Sequence, residues 1–287
     1  MKIFKTLLPM CAVALAMTSC LDSGKNETST TITVDDSQNF NYVYNVETNQ
    51  GELLDGADYI IKYIWSDSKA DVVVRDLELE NGAGKIGFTM SGLKITQAQD
   101  GATVISVPSV IDDDNNHVIT SLTIKRWERF VGNYGLYDPI TIISYVLDNK
   151  YVVRMVQSKF TLVGVTRDTS LANAQELAQF PMYTFAFQQN GKATITAQNI
   201  TLAEQNFSKV VMNNVPFSVD TQGINFNLSG TVEATFTPEP SLTPITITSF
   251  AGIIDLNYTA TLSYIINDES RMSAHIGVLN PEMNNNN

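Results

Sequence analysis

The sequence predicts an all-β protein: two related antiparallel β-barrel or β-sandwich units in tandem, joined by a short helix. Three observations carry that expectation. Apolar and polar residues alternate with a period of two over long stretches, turn dipeptides separate those stretches, and segments of the first half recur in order in the second.

The alternation is clearest between Ile224 and Phe236. Ile224, Phe226, Leu228, Val232, Ala234 and Phe236 share one face, while Asn225, Asn227, Ser229, Thr231, Glu233 and Thr235 share the other. Successive strand side chains point to opposite faces, so this is the pattern of a half-buried antiparallel strand. Gly230 falls on the apolar face, where a missing side chain marks a bend or bulge. Val215, Phe217 and Val219 alternate in the same way, as do Tyr258, Ala260, Leu262 and Tyr264. Asn81-Gly82, Asp100-Gly101 and Asn190-Gly191 are hairpin turn signals between such runs. Residues 169–181 are the exception. Leu171, Ala174, Leu177 and Ala178 form a helical stripe, Thr169 or Ser170 can cap it and Pro181 ends it, which predicts a helical linker.

On either side of that segment the same pattern runs twice. Tyr59 to Leu79 parallels Tyr183 to Leu202, and Lys85 to Ile95 matches Lys209 to Val219. Farther on, Asp138 to Ser144 answers Thr243 to Ser249, and Tyr151 to Met155 answers Tyr258 to Leu262. The spacing drops from 124 to 105 between the early and late pairs, so the first copy is expected to carry about 19 extra residues.

The N-terminus reads as a leader. Lys2 and Lys5 precede an apolar run from Leu7 to Met17, too short for the roughly 20 residues of a membrane span. Met17-Thr18-Ser19-Cys20 then resembles the lipobox of bacterial lipoproteins, although Met17 stands where leucine is usual and Pro9 interrupts the run. That resemblance implies acylation of Cys20 and a membrane anchor there. Cys11 is the other cysteine and lies in the leader, so the mature chain is expected to have no thiol for a disulfide, a nucleophile or a zinc cluster. The expected organisation is a leader over 1–20, a flexible tether over 21–38, a first β domain over 39–168, the helical linker over 169–181, a second β domain over 182–279 and a disordered tail over 280–287.

The order of the later segments, "NVPFSV", then "PITITSFAG" and "NYTATLSY", is similar to the calycin-like lipoproteins of Bacteroidetes, mainly across Tyr183 to Asp268. The resemblance implies small antiparallel barrels closed around apolar side chains, with a small cavity, on a lipid-anchored protein at the outer membrane, on its periplasmic face or at the cell surface. It supplies no catalytic residues. Alternation by itself leaves barrel and sandwich open, because both bury one face of each strand.

Charge and motifs bound the function. The formal net charge is -12; losing Lys2 and Lys5 with the leader leaves -14, which disfavours nucleic acid as a partner. Asp112, Asp114 and Asn116 have alternating ligand spacing, but His117 and Thr123 stand where a calcium loop needs glycine and glutamate. The expected role of Asp112 to His117 is therefore a polar hairpin loop, with no metal. The two histidines, His117 and His275, lack zinc spacing, and no nucleophile motif is present, so neither enzyme activity nor a cofactor is expected. The segment Lys125 to Tyr137 concentrates cations and aromatics in an acidic chain. Arg126, Trp127, Arg129, Tyr134 and Tyr137 are the expected ligand contacts, through stacking and cation–π interaction. A longer hairpin whose Trp127 and Phe130 cap a core is the plainer account of the same residues. The functional expectation is a non-catalytic, lipid-anchored envelope protein binding a small apolar ligand or glycan. The alternative is a structural, fimbrillin-like assembly subunit.

Overall fold

The computed structural model describes residues 28–128, 138–240 and 243–278. Among them the threonine-, valine-, isoleucine- and tyrosine-rich runs form eighteen strands and no α-helix. The first ten are β1 (Ser29–Val34), β2 (Asn39–Asn45), β3 (Gln50–Leu54), β4 (Asp58–Ile64), β5 (Lys69–Glu78), β6 (Lys85–Gln97), β7 (Thr103–Ile111), β8 (Val118–Trp127), β9 (Ile140–Leu147) and β10 (Tyr151–Gln157). They form one antiparallel sheet in the order β1-β4-β5-β6-β7-β8-β9-β10-β2-β3. The remaining eight are β11 (Lys159–Asp168), β12 (Met182–Gln188), β13 (Lys192–Leu202), β14 (Gln205–Val219), β15 (Gly223–Thr237), β16 (Ile247–Asp255), β17 (Ala260–Ile266) and β18 (Ser270–Gly277). They close into an antiparallel barrel in chain order, so for this part the barrel is decided over the sandwich.

Closure of the barrel rests on β11. Its first half pairs with β12 (Lys159↔Ala186 to Val163↔Met182), and its second half pairs with β18 (Val163↔Gly277 to Asp168↔Met272). Gly164 sits where the partners change. A Cβ there would lie 2.2 Å from the His275 carbonyl oxygen, so only glycine permits the close approach of β11 to β18.

The first sheet makes the same turn with a broken strand. β1 pairs with β4, a short 3-10 turn follows over Asp36–Gln38, and β2 then pairs with β10. The two partners of the single strand β11 are thus shared between β1 and β2. The sheet rolls on itself, and one core collects residues from Val34 on β1 to Met155 on β10. The Tyr59 hydroxyl on β4 donates to Asn41 Oδ1 on β2 at 2.5 Å, across the interior. Asn39, buried at the break, donates through Nδ2 to the carbonyls of Asp35 (2.7 Å) and Ala57 (2.9 Å) and accepts from the Ala57 amide at 3.2 Å. Gly56 passes against the same turn; a Cβ would meet the Asp36 carbonyl oxygen at 1.9 Å.

Several expectations change here. Residues 169–177 form turns and a bend, not a helix, with amide bonds from Leu171, Ala174 and Glu176 to carbonyls three residues earlier. Leu171, Leu177 and Phe180 are exposed, so the apolar stripe has no surface on which to bury, and a short helix without tertiary packing is marginal. The segment connects β11 to β12 within the barrel. The two units meet instead at Ser158, whose amide donates to the Gln38 carbonyl and whose carbonyl accepts from the Phe187 amide, both at 2.8 Å. Residues 159–168, expected in the first domain, therefore belong to the barrel. Part of the expected tether is also ordered, since β1 and the 3-10 turn occupy 29–38. The leader, residues 21–27 and the tail from 279 lie outside the described residues.

The later repeat matches are out of step by one strand. Asp138 to Ser144 leads into β9, the sixth strand of its meander counted from β4, whereas Thr243 to Ser249 opens β16, the fifth counted from β12. Position in the meander instead sets Ser144-Tyr145 on β9 beside Ser263-Tyr264 on β17. The fifth strand of each unit carries a left-handed serine, Ser121 (φ 52°) and Ser249 (φ 53°), at a register shift against the sixth. The letters Pro-Ile-Thr-Ile mislead because both stretches lead into a strand, and bulges decide register where composition cannot.

Both interiors are filled by side chains. In the barrel Phe185 lies 6.0 Å from Phe226 and Phe226 5.8 Å from Phe250, with Phe250 stacked on Tyr264. The Tyr183 hydroxyl is 3.0 Å from those of both Thr166 and Tyr264. Tyr59, Asn41 and Tyr145 occupy the matching strands of the first sheet. Burial pushes the ionisation of Tyr59, Tyr145, Tyr183 and Tyr264 upward.

Two outcomes follow from these contacts. Asn39→Ala takes the side-chain partner from the buried amide and carbonyl of Ala57, while the Asp35 carbonyl keeps the Gln38 amide, and should cost about 3 kcal/mol in urea unfolding. The buried tyrosines ionise in the unfolded chain near pH 10 and only at higher pH when folded. Their contribution is therefore constant below about pH 10 and lost as pH rises beyond it. Urea midpoints should fall above that pH, and Tyr264→Phe should lessen the fall.

Candidate functional site

The junction between sheet and barrel covers strands that would otherwise face water. On β2 and β9 the usual alternation gives way to burial on both faces. Asn41 and Val43 point into the rolled sheet, while Phe40 on β2, Ile140 and Ile142 on β9 and Val156 on β10 join the core of the barrel. Hydrogen bonds pin the contact. The Gln157 amide donates to the Tyr258 hydroxyl at 3.2 Å, and Gln189 Nε2 donates to Asp55 Oδ1 at 2.6 Å. Burial pushes the Tyr258 phenol up to about 12.

At one corner of this junction lies a mainly apolar cleft of about 100 Å³, and a larger, polar one of about 220 Å³ lies beside Asp55 and Gln189. The floor of the smaller cleft is apolar: Ile142 and Val156 from the sheet, Val219, Ile224 and Ile254 from the barrel, and the ring of Tyr258. Arg154, outward-facing on β10, enters it half-buried. Its Nη1 donates to the main-chain carbonyls of Asp220 (3.4 Å) and Thr221 in the turn between β14 and β15. Among the described residues no carboxylate lies within ion-pair distance of it. Burial lowers its pKa, and the neighbouring Tyr42 and Asp220 offset that in part.

Two carboxylates also line the cleft, and both brace their own turns. Asp220 Oδ1 accepts from the amides of Gln222 (2.7 Å) and Gly223 (3.1 Å), and its Oδ2 from Asn225 Nδ2 at 3.0 Å. Asp255 Oδ1 accepts from the amides of Asn257 and Thr259, each at 2.8 Å. Its Oδ2 has no hydrogen-bond partner among the described residues.

The residues expected to bind a ligand are placed differently. Trp127 is buried in the core at the junction, with Lys125 Nζ 4.4 Å from its ring centre and 2.7 Å from Asp100 Oδ2. Arg126 is engaged by Glu128 Oε1 (2.6 Å) and Thr141 Oγ1 (2.7 Å). These two neighbours point to opposite sides of β8 and form no common surface. Arg129, Tyr134, Tyr137 and Cys20 lie outside the described residues.

The acidic loop is the expected hairpin turn between β7 and β8. Asp112 is buried and accepts from the amides of Asn116 (2.7 Å) and His117 (3.0 Å), and His117 Nδ1 meets Asp148 Oδ2 at 2.9 Å. Asp35, Asp36 and Asp58 bring carboxylate oxygens within 4.8 Å of one another. Asp35 and Asp58 use theirs to accept from Ser37 and from the Asp36 amide, both at 3.0 Å, which holds the turn between β1 and β2.

Sequence reasoning did not single out Arg154. Its signal, one cation in the apolar run Tyr-Val-Val-Arg-Met-Val, is equally that of a solvent-facing strand position. No helix among the described residues is long and apolar enough to cross a membrane. No family model matches the chain, and neither a curated protein nor a solved structure matches it.

Trp127→Ala should cost about 3–5 kcal/mol, as expected for an aromatic removed from a core. In the Trp65→Phe variant the remaining indole should resist acrylamide quenching. Strong quenching would show Trp127 open to solvent.

Proposed function

We propose that this is a non-catalytic, lipid-anchored cell-envelope protein of calycin-like type, held at the outer membrane through Cys20, that binds a small ligand between its two units. The leader and lipobox-like segment support the anchor, and the single supporting observation for the site is Arg154. A half-buried guanidinium held by main-chain carbonyls at the edge of an apolar cleft is a polar group of the kind that orients a ligand. The packed interiors argue against a ligand inside either unit. The two carboxylates at the cleft brace turns, which supports a binding role over acid–base chemistry.

The two units are read as products of one duplication, on three grounds: the shared meander, the bulge serines Ser121 and Ser249, and the tyrosine pairs. A second reading, a fimbrillin-like assembly subunit, is favoured by one observation. β1 is largely exposed and pairs with β4 alone, and β3 pairs with β2 alone, so each offers an edge. Concentration-dependent oligomers of the soluble part would support it.

Native mass spectrometry of the protein purified from its host tests the main reading. The expected result is an acylated Cys20 and a bound small molecule that is lost in Ser144→Phe, since Ser144 on β9 lines the cleft and the larger side chain fills it without altering its charges. An intact protein free of any adduct would overturn the binding site, and an unmodified Cys20 would overturn the anchor.

A further inference from the structure

We infer that the ligand of this cleft is a zwitterion with an apolar side chain, of the class of free aliphatic α-amino acids; this rests on the cleft being the binding site.

The charges around the cleft select the class. Arg154 supplies one positive charge, and Asp220 and Asp255 supply two negative ones. A simple anion would be drawn to Arg154 and repelled by both aspartates, while a simple cation would meet the reverse. A molecule with a carboxylate and an ammonium a few ångströms apart satisfies both signs. The donors and acceptors agree. Nε and Nη2 of Arg154 have no hydrogen-bond partner among the described residues and suit a carboxylate, for which a guanidinium is the best-matched side chain. Asp255 Oδ2 is the acceptor left for an ammonium, because Oδ1 is taken by its turn.

Size narrows the side chain. The floor of Ile142, Val156, Val219, Ile224 and Ile254 is aliphatic, with only the Tyr258 ring beside it. The cleft of about 100 Å³ is smaller than the roughly 150 Å³ cavity that accommodates benzene, so it suits a branched aliphatic group better than an aromatic one. The cleft is open on one side, and Arg154 and Asp255 among its lining residues are the groups that would take the charged end.

The test uses the soluble protein with leucine, 4-methylpentanoate, which lacks the ammonium, and 3-methylbutylamine, which lacks the carboxylate. Binding is followed by methyl NMR at Ile142 and Ile254. Leucine should shift those methyls saturably, and each one-charge analogue should bind at least about tenfold more weakly, the loss expected for one charge-assisted contact. Arg154→Gln should weaken leucine similarly while leaving Asp255→Asn to report the ammonium side. Ser144→Phe should abolish the shifts at an unchanged melting temperature. Equal or tighter binding of either analogue would overturn the zwitterion assignment but leave the cleft as a site. Absence of any shift at about 10 mM leucine, where so small a ligand should register, overturns the assignment. Whether the cleft itself fails is then decided by the adduct carried from the host.

Discussion

An antiparallel sheet that rolls up must give its first and last strands hydrogen-bonding partners, or leave a row of unpaired amides and carbonyls facing water. Nearly everything in this protein follows from how that requirement is met. In the barrel a single strand, β11, serves both edges by changing partner at Gly164, where any side chain would strike the backbone of β18. In the first sheet the equivalent strand is interrupted. β1 and β2 divide the two edges between them, and the side chain of Asn39 supplies the hydrogen bonds that the interrupted backbone does not. Gly56 and the carboxylates of Asp35 and Asp58 complete that joint, which accounts for an acidic cluster without invoking a metal.

Rolled strands enclose a space, and here side chains occupy it. Phenylalanines fill the barrel, and a tyrosine from the first strand of each meander reaches across both interiors, Tyr183 to Tyr264 and Tyr59 to Asn41. Small barrels are usually filled in this way. The concave surface then arises where the two units touch. β10 runs through Ser158 into β11, so the outer faces of β2, β9 and β10 are pressed against the turns at the near end of the barrel. The same junction that buries Phe40, Trp127 and Val156 traps Arg154 beside main-chain carbonyls.

That origin explains the chemistry proposed for the cleft. The polar groups are by-products of turn construction: Asp220 and Asp255 fold their own turns, and Arg154 reaches the first of them from the opposite unit. Their oxygens and nitrogens are only partly used, and the apolar strands between them form the floor. An acidic protein thus presents at this cleft an embedded cation framed by two anions.

Some of this was legible in the chain alone. Period-2 alternation identified the strands, Gly230 was read as a bulge and lies within the register shift between Leu228 and Thr231, and Gly82, Gly101 and Gly191 occupy the left-handed turn positions their dipeptides implied. These features are local, and local sterics and burial on one face decide them. The helix over 169–181 failed because an apolar stripe specifies a helix only if something covers it, and Leu171, Leu177 and Phe180 face outward. The late repeat matches failed because bulges move register without changing composition. Trp127 reads as a binding aromatic until the barrel is seen to cover it, and Arg154 reads as a surface cation until the barrel's turns close over it. The sequence by itself determined the all-β class, the turns and which face of each strand is apolar. Only the tertiary structure decided where the strands close and which outer faces are buried, because those depend on contacts between residues as far apart as Gln157 and Tyr258.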